Sequence, residues 1–171
     1  MSSSIGTVVK CSVFGESHGE AIGCVLDGLP AGEPIDMEEI YLQMGRRTPG
    51  FDRTSTPRKE SDTPHILSGM LDGRTTGAPL AVMIKNENVR SKDYGNIMSM
   101  PRPGHADYTA HVRYDGYNDV RGGGHFSGRL TAALVFAGAV CRQILRRRGI
   151  SNGGHVLEIH GVRDLELDPV N

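Results

Sequence analysis

Runs and alternations of apolar side chains divide the chain into a short series of elements. Residues 5–14 carry Val8, Val9 and Val13 in a β-branched stretch, and residues 21–26 form a second apolar run that stops at Asp27-Gly28. Runs of this kind bounded by Gly and Asp are strand signals, so two strands around a polar loop are predicted. Asp36 and Glu39 have the spacing of a capping box, and Ile35 and Ile40 sit where a hydrophobic staple would. A helix from there to about Gly45 follows. Residues 46–62 are dense in Arg, Thr, Pro and Ser and show no period, which predicts a long functional or mobile loop.

Residues 66–71 and 80–84 read as the strands of a hairpin, with Asp72-Gly73 and Gly77 in the connection, and a loop over 86–104 comes next. Residues 127–148 have the length of a helix, with Ser127 at its N-cap and Arg142, Arg146, Arg147 and Arg148 toward the end where the dipole favours cations. Gly149 ends it. Because residues 132–139 are apolar nearly all round, this helix is expected to be buried on more than one side, with Gly138 allowing close packing. Residues 155–160 read as a last strand. There is no internal repeat, low-complexity segment or linker, so residues 1–171 are expected to form a single α+β domain, an antiparallel sheet packed on long helices.

Composition removes several classes of function. With 37% hydrophobic and 23% charged residues the chain is neither disordered nor fibrous, and 23 Gly with 9 Pro imply many tight turns. The net charge of -1 lacks the basic excess of a nucleic-acid binder, and 5% aromatics with no Trp leave little for base stacking. Cys11, Cys24 and Cys141 are odd in number and have no C-x-x-C spacing, which disfavours a disulfide framework and a zinc cluster. The longest apolar run, residues 132–141, falls short of the ~20 residues a membrane span needs, and the N-terminus lacks signal-peptide regions. A cytoplasmic protein with reduced thiols and no metal is expected.

Four constellations can carry chemistry. Gly15-Glu16-Ser17-His18-Gly19 matches the G-x-S-x-G of a serine-hydrolase elbow, with Ser17 as nucleophile, although the run after it reads as strand where an elbow needs a helix. The same residues also read as a tight loop presenting His18 to a ligand, or as a polar turn. In residues 101–109 two prolines and Gly104 stiffen the backbone before His105, which suits a positioned acid or base as well as a surface histidine beside a helix start. Residues 121–129 place Gly122, Gly123 and Gly124 before a helix, with Arg121 and Arg129 on either side. That is a plausible phosphate site, or a flexible loop capping the helix, and it matches neither a Rossmann nor a Walker spacing. The basic loop holds Arg46, Arg47, Arg53, Arg58 and Lys59, whose forks suit anionic groups, though a charge run is also an ordinary solvated face.

Taken together, GESHGEAIGCVLDGLPAG at 15–32, RRTPG at 46–50, TTGAPL at 75–80, SKDY at 91–94, RPGHADYT at 102–109 and RGGGHFSGRLTAA at 121–133 resemble the successive blocks of chorismate synthase, in that family's order. The resemblance implies a lyase of the shikimate route that converts 5-enolpyruvylshikimate 3-phosphate to chorismate by anti-1,4-elimination of phosphate. It requires reduced FMN without net redox change, and NADPH is a possible reductant. The implied architecture is one half of a β-α-β sandwich, and the implied assembly is a homotetramer. Against this stand a serine hydrolase using Ser17 and a non-catalytic remnant that binds phosphate-bearing ligands.

The resemblance also implies roles. His18 protonates the departing phosphate and His105 manages protonation near the flavin. Arg47 and Arg53 bind NADP or substrate, and His125, Phe126, Ser127 and Arg129 contact FMN. Many members carry Arg-Ser-Ser-Ala-Arg where this chain has His125-Phe126-Ser127-Gly128-Arg129, and a neutral His125 attracts an anion less than Arg does. Members of the family are also roughly twice as long, so apolar surface on the 127–148 helix is expected to be uncovered, favouring oligomerisation, a partner chain or poor solubility.

Overall fold

In the computed structural model, which describes residues 3–48, 61–87 and 100–168, the first β-branched stretch forms two strands rather than one. Gly6 takes φ +99°, and the chain reverses so that β1 (Ser4–Ile5) lies antiparallel to β2 (Lys10–Gly15), with Ile5 opposite Cys11. β3 (Ala21–Asp27) returns along β2, and the predicted second hairpin supplies β4 (Pro64–Ser68) and β7 (Leu80–Lys85). Between these arms β5 (Met70–Leu71) and β6 (Arg74–Thr75) make a separate ribbon, set off by a register shift between Ile66 and Ser68. The main sheet is antiparallel with strand order β1-β2-β3-β7-β4. An antiparallel sheet with helices on one face is the expected α+β architecture.

Alternation along the strands puts Ile22, Cys24 and Leu26 of β3 on one face together with Leu80, Val82 and Ile84 of β7, and all six are buried. On that face lie α1 (Met37–Arg47), contributing Ile40 and Met44, and α3 (Thr131–Arg147), contributing Phe136, Val140 and Ile144. Each large side chain buried there stabilises the fold by about 1.5–3 kcal/mol. Ala132, Ala133, Ala137 and Ala139 let α3 approach closely, and the Cys24 thiol donates to the Ala133 carbonyl at 3.4 Å. Burial pushes that thiol up to about 12, which keeps it protonated and inert. The 128–147 stretch is long and apolar enough to cross a membrane by length and composition, and it is the helix that forms this core.

The predicted cap of α1 forms, with one exchange. Asp36 accepts from the backbone N–H of Glu38 at 2.9 Å and of Glu39 at 3.4 Å. The Glu39 side chain pairs with Arg146. Gln143 takes its place, accepting from the Asp36 N–H at 2.8 Å and donating to the Asp36 carbonyl at 3.0 Å. Arg147 and Arg148 clasp Glu33 in the segment before α1, and with Arg146 on Glu39 the basic end of α3 ties down α1 and its approach as well as answering the dipole.

Three expectations change. Ser127 caps a short 3-10 turn, Gly128–Leu130, and α3 proper starts at Thr131. The outer side of α3 is open: Leu134 is exposed and nothing lies within 4 Å of a methyl group placed on Gly138, because the sheet and α1 cover one side only. The last strand is a hairpin of β8 (Glu158–Ile159) and β9 (Val162–Arg163), whose Ile159 and Val162 are exposed. α2 (Asp107–Arg113) follows the proline-rich segment.

Asp62 is fully buried before β4, at φ +50°, and its carboxylate receives guanidinium groups from Arg47 at the end of α1 and Arg129 before α3, with the Thr48 hydroxyl at 3.3 Å. Asp62→Ala leaves two cations facing one another in a buried site. It should lower unfolding free energy by about 3–5 kcal/mol in a urea titration; a loss under 1 kcal/mol would contradict the role given to this carboxylate.

Candidate active site

The loop between β2 and β3 is held from two sides. Asn86, just after β7, donates its side-chain amide to the carbonyls of Glu16 at 3.0 Å and Gly19 at 2.8 Å. From the other side the Ser17 N–H donates to the Gly124 carbonyl at 3.1 Å. Ser17 and His18 are both buried in consequence. A strand, not a helix, follows, so the strand-turn-helix of a hydrolase elbow is absent at Ser17.

The Arg121–Phe126 segment explains why three glycines run in succession. Gly122, Gly123 and Gly124 have φ of 58°, 84° and 53°, conformations that disfavour L side chains. A methyl group on Gly122 would sit 2.2 Å from Cε1 and Nδ1 of His18, and one on Gly124 would sit 2.0 Å from the Asp119 carbonyl oxygen. The missing side chain at 122 is the space that the His18 ring occupies. First and third motifs, more than a hundred residues apart, thus form one unit.

His125 is fixed through both ring nitrogens. A carbonyl only accepts, so Nδ1 carries the proton donated to the Gly15 carbonyl at 2.9 Å, and Nε2 pairs with the Ser3 hydroxyl at 2.9 Å. Phe126 packs its ring 5.8 Å from that of Tyr114. Arg129 donates Nε to Asn86 Oδ1 at 3.0 Å and Nη2 to the Lys85 carbonyl at 3.1 Å, with Nη1 on Asp62. Its guanidinium is thereby engaged within the fold, where the sequence reading placed it on the flavin.

In the proline-rich segment Arg102 grips Asp107 in a fork, Nε to Oδ2 at 2.8 Å and Nη2 to Oδ1 at 2.9 Å. That guanidinium holds the Asp107 carboxyl below the usual carboxylate range. His105 is exposed, with Nδ1 donating to the Pro103 carbonyl at 3.3 Å. An open cavity of about 210 Å³ lies here, lined among others by Arg102, His105, Gly122, Gly123, Phe126 and Ser127. The second and third motifs line it directly, and His18 packs behind Gly122.

Arg47 stands apart, with Nη1 on Asp62 and Nε donating to Thr131 Oγ1 at 3.3 Å. Arg53 lies outside the described residues. Sequence reasoning missed Asp62, Asn86 and Asp119, whose work lies in holding the motif residues. The available signal was weak: Asp62 is one of three carboxylates, with Asp52 and Glu60, in the arginine-rich 46–62 stretch. Among the described residues no His, Cys, Asp and Glu cluster suits a metal.

Residues 9–171 match the family model described as chorismate synthase. The chorismate synthase of Thermococcus kodakarensis is 52% identical over 145 residues, covering 85% of this chain and 41% of the relative. That of Sulfurimonas denitrificans is 50% identical over 165 residues, covering 96% of this chain and 46% of the relative. A crystal structure of chorismate synthase matches with a TM-score of 0.60 at 33% identity, over 84% of this chain and 35% of that one. The chain spans less than half the length of these relatives.

Gly122→Ala drives a methyl group into the His18 ring and forces alanine to a positive φ. The variant should lose about 1–3 kcal/mol of stability and shift the His18 ring signals in a proton–nitrogen NMR spectrum. A variant with wild-type stability and an unmoved His18 signal would refute the close approach.

Proposed function

The chain belongs to the chorismate synthase family, and from that membership we propose that it contributes the proton-transfer and anion-facing side of a site converting 5-enolpyruvylshikimate 3-phosphate to chorismate and phosphate. The observation that carries this reading is that His105 and the glycine loop line one cavity, with the His18 ring packed directly behind Gly122. In the 1,4-elimination the carbon–oxygen bond to phosphate breaks and a ring proton is lost. His18 is the group proposed to hold a proton for the departing phosphate. Its ring is kept in one place by Gly122, and an imidazole can give up a proton near neutral pH. His105, at the cavity edge, is proposed to hold or release a proton beside the cofactor.

Reduced FMN, when bound, supplies electron density to the substrate without net oxidation or reduction. The described residues suit one edge of such a group: side-chain-free backbone at Gly122 and Gly123, the Ser127 hydroxyl, Arg102 and His105, with Phe126 as an aromatic wall. At about 210 Å³ the cavity is smaller than the ~300–1,000 Å³ typical of ligand sites, so most of the flavin would be met by groups outside this set. His125 and Arg129, both engaged in internal hydrogen bonds, are proposed to shape that wall rather than to bind charge. Arg47 and Arg53 are proposed for the anionic substrate or for NADPH as reductant. A homo-oligomer, a tetramer in this reading, is supported by the open side of α3, and residues 1–171 are proposed to fold as one domain.

Titrating FMN fluorescence with the 171-residue chain should give saturable quenching that needs the substrate. Joining the chain to the remaining part of the Sulfurimonas denitrificans relative should restore anaerobic turnover. His18→Ala in that hybrid should lower kcat about 10²–10⁴-fold; unchanged turnover would overturn the role of His18.

A further inference from the structure

We infer that Asn86 is a positioning residue for His18, its one side-chain amide fixing both ends of the turn that carries the imidazole while Arg129 fixes the amide. Its effect on turnover rests on the proposed proton-transfer role of His18. Its effect on where His18 sits rests on hydrogen bonds alone.

Residues 16–19 form a tight turn, closed by the Gly19 N–H donating to the Glu16 carbonyl at 3.1 Å, with Ser17 and His18 at its corner. Glu, Ser, His and Gly bring no apolar side chain with which to hold the turn against the sheet. Its end carbonyls are gripped by Asn86 instead. Nδ2 gives one hydrogen to the Glu16 carbonyl at 3.0 Å and the other to the Gly19 carbonyl at 2.8 Å. The Asn86 backbone N–H carries the β3–β7 ladder one step further, to the Glu20 carbonyl at 3.0 Å.

The amide fits this place in one orientation only. Carbonyls accept and a guanidinium donates, so the two sides of Asn86 have opposite needs. Arg129 Nε meets Oδ1 at 3.0 Å, which turns Nδ2 toward the two carbonyls. Arg129 is itself buried and held by Asp62 and the Lys85 carbonyl. A carboxylate of the same length would keep the bond from Arg129 but set an oxygen against two carbonyl oxygens. A leucine of similar size would lose both connections. What position 86 demands is therefore a donor, and the half-buried side chain stands outside the apolar cluster of the core.

On its other side the His18 ring meets Gly122, where a Cβ would lie 2.2 Å from Cε1 and Nδ1. The ring is thus confined by the glycine loop, and the turn decides where it enters that space. A misplacement of about 1 Å is enough to cost roughly 10²-fold in rate when a group must meet its reacting partner along one line.

The first test uses NMR on the 171-residue chain and begins with a measurement that needs no variant. The side-chain amide protons of Asn86 should exchange with solvent slowly, and those of exposed Asn152 fast. Asn86→Asp should then shift the His18 ring signals and leave those of Ile40, Phe136 and Val140 in the core unmoved. Asn86→Leu should shift His18 as well. Fast exchange at Asn86, an unmoved His18 in Asn86→Asp, or core signals that move as far as those of His18 would each overturn the proposal. The second test is turnover in the hybrid with the remaining part of the Sulfurimonas denitrificans relative. There Asn86→Asp should lower kcat about 10²-fold with KM near wild type, and should have no further effect in a His18→Ala background. Full additivity of the two substitutions would mean that Asn86 acts other than through His18, and the proposal would fall. A shifted His18 in Asn86→Asp together with intact turnover in His18→Ala would reject the catalytic reading of His18 and uphold its placement by Asn86.

Discussion

Asp62 is a carboxylate with almost no contact with water, and a charge in that position is tolerable only where cations meet it directly. Two do, and their placement joins the end of α1, the approach to β4 and the start of α3 at one point. The consequences reach the candidate site through hydrogen bonds. Arg129, held by Asp62, also holds Asn86, and Asn86 holds the carbonyls on either side of Ser17 and His18. A buried ion pair rarely adds much over a well-packed apolar replacement. Its use here is geometric, because it sets where a loop with few apolar side chains comes to rest.

The glycine loop shows the complementary constraint, in which a position is defined by what is missing. Backbone at a positive φ with no Cβ leaves room for an imidazole ring at 122 and for a carbonyl at 124. The buried loop of residues 16–19 could not lie where it does against any other residue type. His125 completes the arrangement from the far side by donating to Gly15, where β2 ends. Charge compensation and absence of side chains together fix a histidine whose own sequence neighbourhood offers little packing.

Local signals were legible in the sequence and distant ones were not. The cap at Asp36, the strand runs over 21–26 and 80–84, and the helical span after Ser127 depend on neighbours a few residues away, and each appears close to where the pattern put it. Residues 5–14 form two strands where the pattern predicts one, because Gly6 inside the run permits either continuation or reversal and only the pairing of Ile5 with Cys11 decides. Of the site, His18, His105 and the glycines were visible as residue types. The partners that hold them were not: Arg129 meets Asp62 across 67 positions and Asn86 across 43. His125 looked like a weak anion ligand from its type, and only its two hydrogen bonds show a structural post.

The exchange of Glu39 for Gln143 at the start of α1 bears on how the chain folds during synthesis. The group that completes the helix start lies 107 positions downstream. A ribosome adding about 5–20 residues per second takes roughly 5–20 s to reach it. For part of that interval β1 to β3 and α1 have been made, yet the helix that covers the apolar face of Ile22, Cys24 and Leu26 has not. The nascent chain therefore passes through a stage in which the apolar face of β3 is without the helix that later covers it.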